Sequence, residues 1–157
     1  MNFTADILTL FDEKWALVTA GTKESFNTMT ISWGEMGTLW SKPVVTVYVK
    51  PVRYTHEFME KNEYFTVSFF DEKYKKALGL LGSRSGRDGD KVAESGLTPK
   101  AVSDVAVGFE EAERTLVCRK ALSQDLDINA IPDFAKETYY KTEAPHTMFV
   151  GVIEAIL

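Results

Sequence analysis

Apolar and polar positions alternate through much of the first half of the chain. Asn27–Trp33 sets Met29, Ile31 and Trp33 on one face and Thr28, Thr30 and Ser32 on the other, the period of two expected of a strand with one wet face. Gly34 and Gly37 are expected to end that run. Trp15–Ala20 is a short apolar run closed by Gly21. Val44–Lys50 is rich in β-branched residues and bracketed by Pro43 and Pro51, and Tyr64–Phe70 has the same character. Between these last two strands, Thr55–Asn62 reads as a helix, with Thr55 as its N-cap and Tyr54 stapled to a later apolar residue. Glu72–Leu81, capped by Asp71, predicts a second helix, and Asp90–Ser95 a further helical turn stopped by Gly96. Strands return at Glu110–Leu122 and His146–Leu157. Ile131–Tyr140 reads as a short helix whose first turn holds Asp133, where negative charge suits the dipole. The pattern predicts a mainly β, mainly antiparallel fold with short helices in its connections. Closure into a small barrel would remove exposed strand edges.

Length adds one constraint. The 157 residues hold no repeat and no linker, so 1–157 reads as a single domain with a real core. The net charge of −5 argues against nucleic acid and against anionic membrane surfaces as partners. No apolar run approaches the roughly 20 residues that span a bilayer, and the N-terminus lacks the pattern of a signal peptide. Cys118 is the only cysteine, which excludes an internal disulfide and, with only two histidines, argues against a metal site. A reducing, cytoplasmic setting is the simplest expectation. Cys118 itself is expected to be buried and inert, and His146 to make a structural hydrogen bond.

Two stretches carry candidate chemistry. Lys50–Thr55 ends a strand and enters a helix with Lys50, Arg53 and Thr55 close together. A phosphate monoester needs several donors at short range. Arg53 offers a planar fork, Lys50 a point charge, Thr55 a hydroxyl and the helix its free amides. The second stretch, Gly82–Lys91, sets Ser85, Arg87 and Lys91 among Gly82, Gly86 and Gly89, on a backbone able to approach a ligand closely. Each stretch alone also fits a solvated turn or a flexible loop; their coincidence points to a phosphate-bearing ligand. A third feature is the hydroxyl-rich strand from Asn27 to Trp33, which can present polar groups to a heteroaromatic edge, with Trp33 and Trp40 as candidate walls for a flat ring. Core packing is the competing role for both tryptophans. Neither a G-x-G-x-x-G turn, nor a P-loop, nor a G-x-S-x-G elbow occurs.

The segments N-T-M-T-I-S-W-G (27–34), L-W-S-K-P (39–43), V-K-P-V-R-Y-T (49–55), S-G-R-D-G-D-K (85–91) and H-T-M-F-V-G-V-I-E (146–154) occur in the order seen in the flavin reductase-like family. The chain resembles in particular its short flavoredoxin-like members. The resemblance implies a Greek-key, FMN-binding split β-barrel that works as a homodimer with flavin near the subunit interface. It places Asn27, Thr28, Met29 and Thr30 at the isoalloxazine ring and ribityl chain, next to Trp33, the candidate wall already read from the strand itself. Lys50, Arg53 and Thr55 would take the phosphate, and Ser85, Arg87 and Lys91 would close the site. The family often carries a cysteine near Gly82; this chain has none. The activity implied is an FMN oxidoreductase that passes electrons from NADH or NADPH through flavin to an acceptor. The alternatives are a flavoredoxin-type carrier exchanging electrons with a redox protein partner, and a barrel that has lost flavin. The apolar end Ala155-Ile156-Leu157 is expected to be buried, at a dimer interface if one forms.

Overall fold

The computed structural model describes residues 1–157. Nine strands and five short α-helices alternate along it. Helix α1 (Ile7–Leu10) starts at Asp6, whose carboxylate accepts from the Leu8 amide at 3.2 Å. Strands β1 (Ala16–Thr22) and β2 (Ser25–Ile31) form a hairpin in which Ala16 faces Ile31 and Thr22 faces Ser25. A second hairpin joins β3 (Gly34–Leu39) to β4 (Lys42–Val49). Its two turn residues, Trp40 and Ser41, both take positive φ (50° and 57°), as a tight two-residue hairpin turn demands.

Helix α2 (Tyr54–Lys61) leads into β5 (Tyr64–Phe70), and a one-turn 3-10 helix capped by Asp71 leads into α3 (Lys75–Ser83). Then follow α4 (Lys91–Ser95), β6 (Pro99–Ser103), β7 (Ala106–Phe109), the long β8 (Ala112–Asp125), α5 (Asp133–Tyr139) and β9 (Thr147–Ile156). Seven strands make one antiparallel sheet in the order β2-β1-β5-β8-β9-β4-β3, and β6 and β7 pair separately. Irregular register between β8 and β9, at Val117/Cys118 and at Lys120/Leu122, bends the sheet. The larger core lies inside that curve, with Phe65, Phe149, Leu116, Val45 and Val47 fully enclosed. A smaller one, built on Leu17, Leu78, Leu81 and Phe109, seats α3 on the outer side.

The sheet does not close: β2 and β3 are its edges, so the expected barrel is open on one side. Gly34 and Gly37 do not end the strand region. They belong to β3, where an edge position tolerates glycine and where a Cβ on Gly34 would lie 2.7 Å from the Phe11 ring. Strand β7 is buried along its whole length and is held by Thr66, whose hydroxyl donates to the Val107 carbonyl at 2.6 Å. Thr55 is not the cap of α2: that position is Arg53, with no side-chain cap bond, and the Thr55 hydroxyl turns to Asn27 instead. The Tyr54 ring meets Phe58 one turn on, at 5.1 Å. The C-terminal end is not covered within the chain, since Leu157 is 55% exposed although its backbone pairs with Thr115. Cys118 is fully buried, which pushes its thiol far above the ordinary range. No helix is long and apolar enough to cross a membrane.

Candidate functional site

Two hollows meet at Val52 and Arg53. The first, about 240 Å³, is lined by Asn27, the start of α2 and the loop after α3, so the two basic stretches come together around it. Arg53 crosses between them and donates to the Gly82 carbonyl at 2.7 Å. Lys91 is buried and reaches the same loop from α4, donating to the carbonyls of Leu81 (3.0 Å) and Arg84 (3.1 Å). Both cations therefore satisfy carbonyls at the C-terminal end of α3, where positive charge is favoured. Neither makes an ion pair with a carboxylate. The consequence is visible in their protonation. Burial, and next the charge of Arg53, pull Lys91 down to about 8, and burial lowers the Arg53 guanidinium.

The rest of this hollow is hydroxyl and amide. Ser83, Ser85 and Thr55 line it, as does Arg84, which is exposed and only loosely paired with Glu94 at 3.7 Å. Tyr54 and Thr55, the first residues of α2, also line it, and no side chain caps their amides. Asn27 donates from Nδ2 to the Thr55 hydroxyl at 2.8 Å. The loop must pass very close to it. A Cβ on Gly86 would lie 2.2 Å from the Asn27 Oδ1, so only glycine fits there without displacing the asparagine.

The second hollow, about 320 Å³, is aromatic. Met29, Thr30, Ile31 and Ser32 form one side, and Trp33, Tyr48, Tyr139 and His146 contribute rings. Trp33 meets Tyr139 edge-on at 4.9 Å and His146 at 5.0 Å. Tyr140 sits 2.7 Å from the His146 Nδ1. Burial, and then the charge of Lys50, push His146 down to about 4, so its imidazole is neutral at neutral pH. With the Tyr140 hydroxyl as donor to Nδ1, the remaining ring N–H sits on Nε2.

The candidate residues divide between these hollows unevenly. Asn27, Arg53, Thr55, Ser85 and Lys91 line the basic one; Met29, Thr30, Trp33, Lys50 and again Arg53 line the aromatic one. Lys50 thus shares the aromatic hollow with Arg53 but does not line the basic one. It pairs with Glu143 at 2.6 Å, donates to the Tyr139 carbonyl at 3.1 Å, and straps the segment before β9 to the end of β4. Thr28 lines neither. Its side chain is buried on the opposite face of β2, 2.8 Å from the Thr19 hydroxyl and donating to the Val18 carbonyl. Arg87 also lines neither: it pairs with Glu57, donates to the Val52 carbonyl and lies over the Tyr54 ring at 4.7 Å. Trp40 stands 65% exposed on its turn, away from both. Arg84, Tyr48, Tyr139 and Glu143 are additional site residues. Arg84 was within reach from the sequence, as a third basic residue in the glycine-rich stretch. Tyr48 lies on β4, within a strand the sequence already showed, while Tyr139 and Glu143 arrive from an excursion between β8 and β9 whose docking no local pattern announces.

The protonation of Lys91 gives a testable consequence. Its folded pKa of about 8 lies below the ordinary value of 10.5, so in that interval the unfolded chain binds more protons and stability rises with pH. Between pH 8 and 9 the melting temperature of the wild-type protein is expected to rise relative to that of Lys91→Met. Parallel melting curves for the two proteins would refute this.

A family model described as flavin reductase like domain matches residues 9–157. The chain belongs to the flavin reductase-like family. Among solved structures, flavoredoxin from Methanosarcina acetivorans superposes with a TM-score of 0.74 at 20% identity, over 100% of this chain and 74% of that one. An FMN-binding protein from Thermus thermophilus, solved with bound 1-cyclohex-2-enone, gives 0.73 at 20% identity over 100% and 78%. An NADH:FAD oxidoreductase from Streptomyces globisporus gives 0.69 at 19% over 92% and 74%. No curated protein matches the sequence. At such identities these likenesses establish the shape, which for this flavin reductase-like chain is the mainly β split barrel.

Proposed function

We infer that this flavin reductase-like protein binds FMN and acts as an oxidoreductase that moves electrons from NADH or NADPH through the flavin to an acceptor. The observation that supports it most is the basic hollow, where the charge of Arg53 helps to depress Lys91 and neither cation is ion-paired with a carboxylate. A dianionic phosphate monoester meets that need, because each cation gains a charge-assisted hydrogen bond on binding. The donor set fits FMN in this respect, with Ser83, Ser85 and the first amides of α2 adding neutral donors. The adjoining aromatic hollow, reached past Val52 and Arg53, offers the strand edge at Met29–Ser32 and the Trp33 ring to a flat heterocycle.

Bound flavin supplies the hydride and electron exchange; the chain supplies position and electrostatics. In this reading Arg53 fixes the headgroup, and Lys50 places positive charge beside the ring hollow. His146, kept neutral, offers a hydrogen bond rather than a charge. We assign no side chain as acid, base or nucleophile. We further propose a homodimer, since Trp40, Phe134 and Leu157 leave large apolar side chains exposed on a single copy.

The test is an absorption spectrum of the FMN-loaded protein followed by anaerobic addition of each nicotinamide. Bleaching of the flavin band by NADH or NADPH is expected. Loading without bleaching, together with rapid reduction by a ferredoxin-type donor, would favour the flavoredoxin-type carrier, and failure to load would remove the flavin reading. Light scattering checks the dimer: a mass near 17.6 kDa, that of one chain, would overturn it.

A further inference from the structure

A third hollow, about 360 Å³, lies beneath α5 and shares Trp33, Tyr48 and Tyr139 with the aromatic hollow. Its lining is otherwise Tyr140, aliphatic side chains from the excursion between β8 and β9, and one charged residue, Glu35 of β3. Four aromatic rings line this small hollow, and the π faces of such rings are electronegative. Trp33 and Tyr139 stand nearly perpendicular, at 86°, and so supply walls in two directions.

Glu35 decides what such a wall accepts. Both of its carboxylate oxygens lie 3.0 Å from the Tyr48 hydroxyl, and no lysine, arginine or histidine pairs with it. No cationic side chain lines the hollow. A neutral apolar ligand settling here would strip water from that carboxylate and offer nothing in return. An anion would be repelled. An organic cation gains attraction from both the rings and the carboxylate.

We propose that the hollow between β3, β4 and α5 is a binding site for a small organic cation of the quaternary or methylated ammonium class, held by the rings of Trp33, Tyr48, Tyr139 and Tyr140 with Glu35 as counter-charge. The site needs no flavin, so it stands or falls separately from the proposed redox activity. Its shared wall with the aromatic hollow means that an occupant contacts the same Trp33 and Tyr139 that border the ring site.

Choline, and its uncharged isostere 3,3-dimethylbutan-1-ol, test it by ligand-observed proton NMR on the full chain at constant ionic strength. Choline N-methyl protons are expected to shift upfield and saturate, with the isostere binding at least tenfold more weakly. Glu35→Gln and Tyr139→Leu are each expected to weaken choline about fivefold to tenfold. Circular-dichroism melts accompany both variants, and since Glu35 is exposed, Glu35→Gln is expected to melt like the parent. Equal binding of the isostere, absence of saturable choline binding, or an unaltered affinity in folded Glu35→Gln would overturn the proposal.

Discussion

Replacing Arg53 by methionine is expected to weaken FMN binding roughly a hundredfold, a loss of about 3 kcal/mol, within the range for removing one partner of a buried, hydrogen-bonded charge pair. Arg53 is half-buried and borders both hollows, and its Nη2 already holds the Gly82 carbonyl. Methionine keeps the stem but removes the charge and that bond, so the glycine loop loses one of its links to the start of α2, the Arg87–Glu57 pair remaining. Arg53→Lys separates the two effects. It restores the charge without the planar fork and is expected to recover only part of the affinity. Quenching of FMN fluorescence on titration measures both variants. An affinity for Arg53→Met within twofold of the parent would show that the headgroup does not bind where Arg53 and Lys91 converge.

Gly151→Ala is expected to cost about 2–3 kcal/mol of stability, at the upper end for overpacking a core by a single methyl. Gly151 lies in β9 between Val45 of β4 and Lys120 of β8, and a Cβ there would sit 2.5 Å from the Phe65 Cζ and 2.8 Å from the Cys118 Cβ. Both neighbours are essentially unexposed, so neither can swing aside. Phe65→Leu removes the ring that collides, and the double variant is expected to be less destabilised than the two single losses added together. Urea unfolding midpoints provide the comparison. Simple additivity would mean that the strain is relieved elsewhere, by a shift of β9 itself.

The strands with strict alternation or dense β-branching were legible because their pattern follows from local backbone geometry; β2, β4, β5 and β9 fall where the sequence puts them within a few residues. β3 was not, because glycine reads as a breaker until the Phe11 ring shows why Gly34 must lack a side chain. β6 and β7 are short and make sense only once β7 is seen against Thr66. The same division holds at the site. Composition was enough to suggest that Lys50–Thr55 and Gly82–Lys91 belong together. It could not say which cations would be claimed by nearby carboxylates. Glu57 takes Arg87 and Glu143 takes Lys50, while Arg53 and Lys91 go to carbonyls and keep their charge available. Thr28 takes no part because its hydroxyl is taken up inside the sheet, against Thr19 and the Val18 carbonyl of β1.

The pairing of Lys50 with Glu143 carries one more implication. The outer rim of the aromatic hollow is held in part by this pair: Tyr139, Glu143 and His146 belong to a segment fastened to the sheet by ring contacts with Trp33 and by an ion pair whose side chains keep 22% and 41% of their surface in water. Such a fastening loosens as dissolved ions accumulate, while the buried grip of Lys91 on α3 is far less affected. Entry and exit of the proposed flavin are therefore expected to quicken with ionic strength, which stopped-flow FMN binding at several salt concentrations would measure.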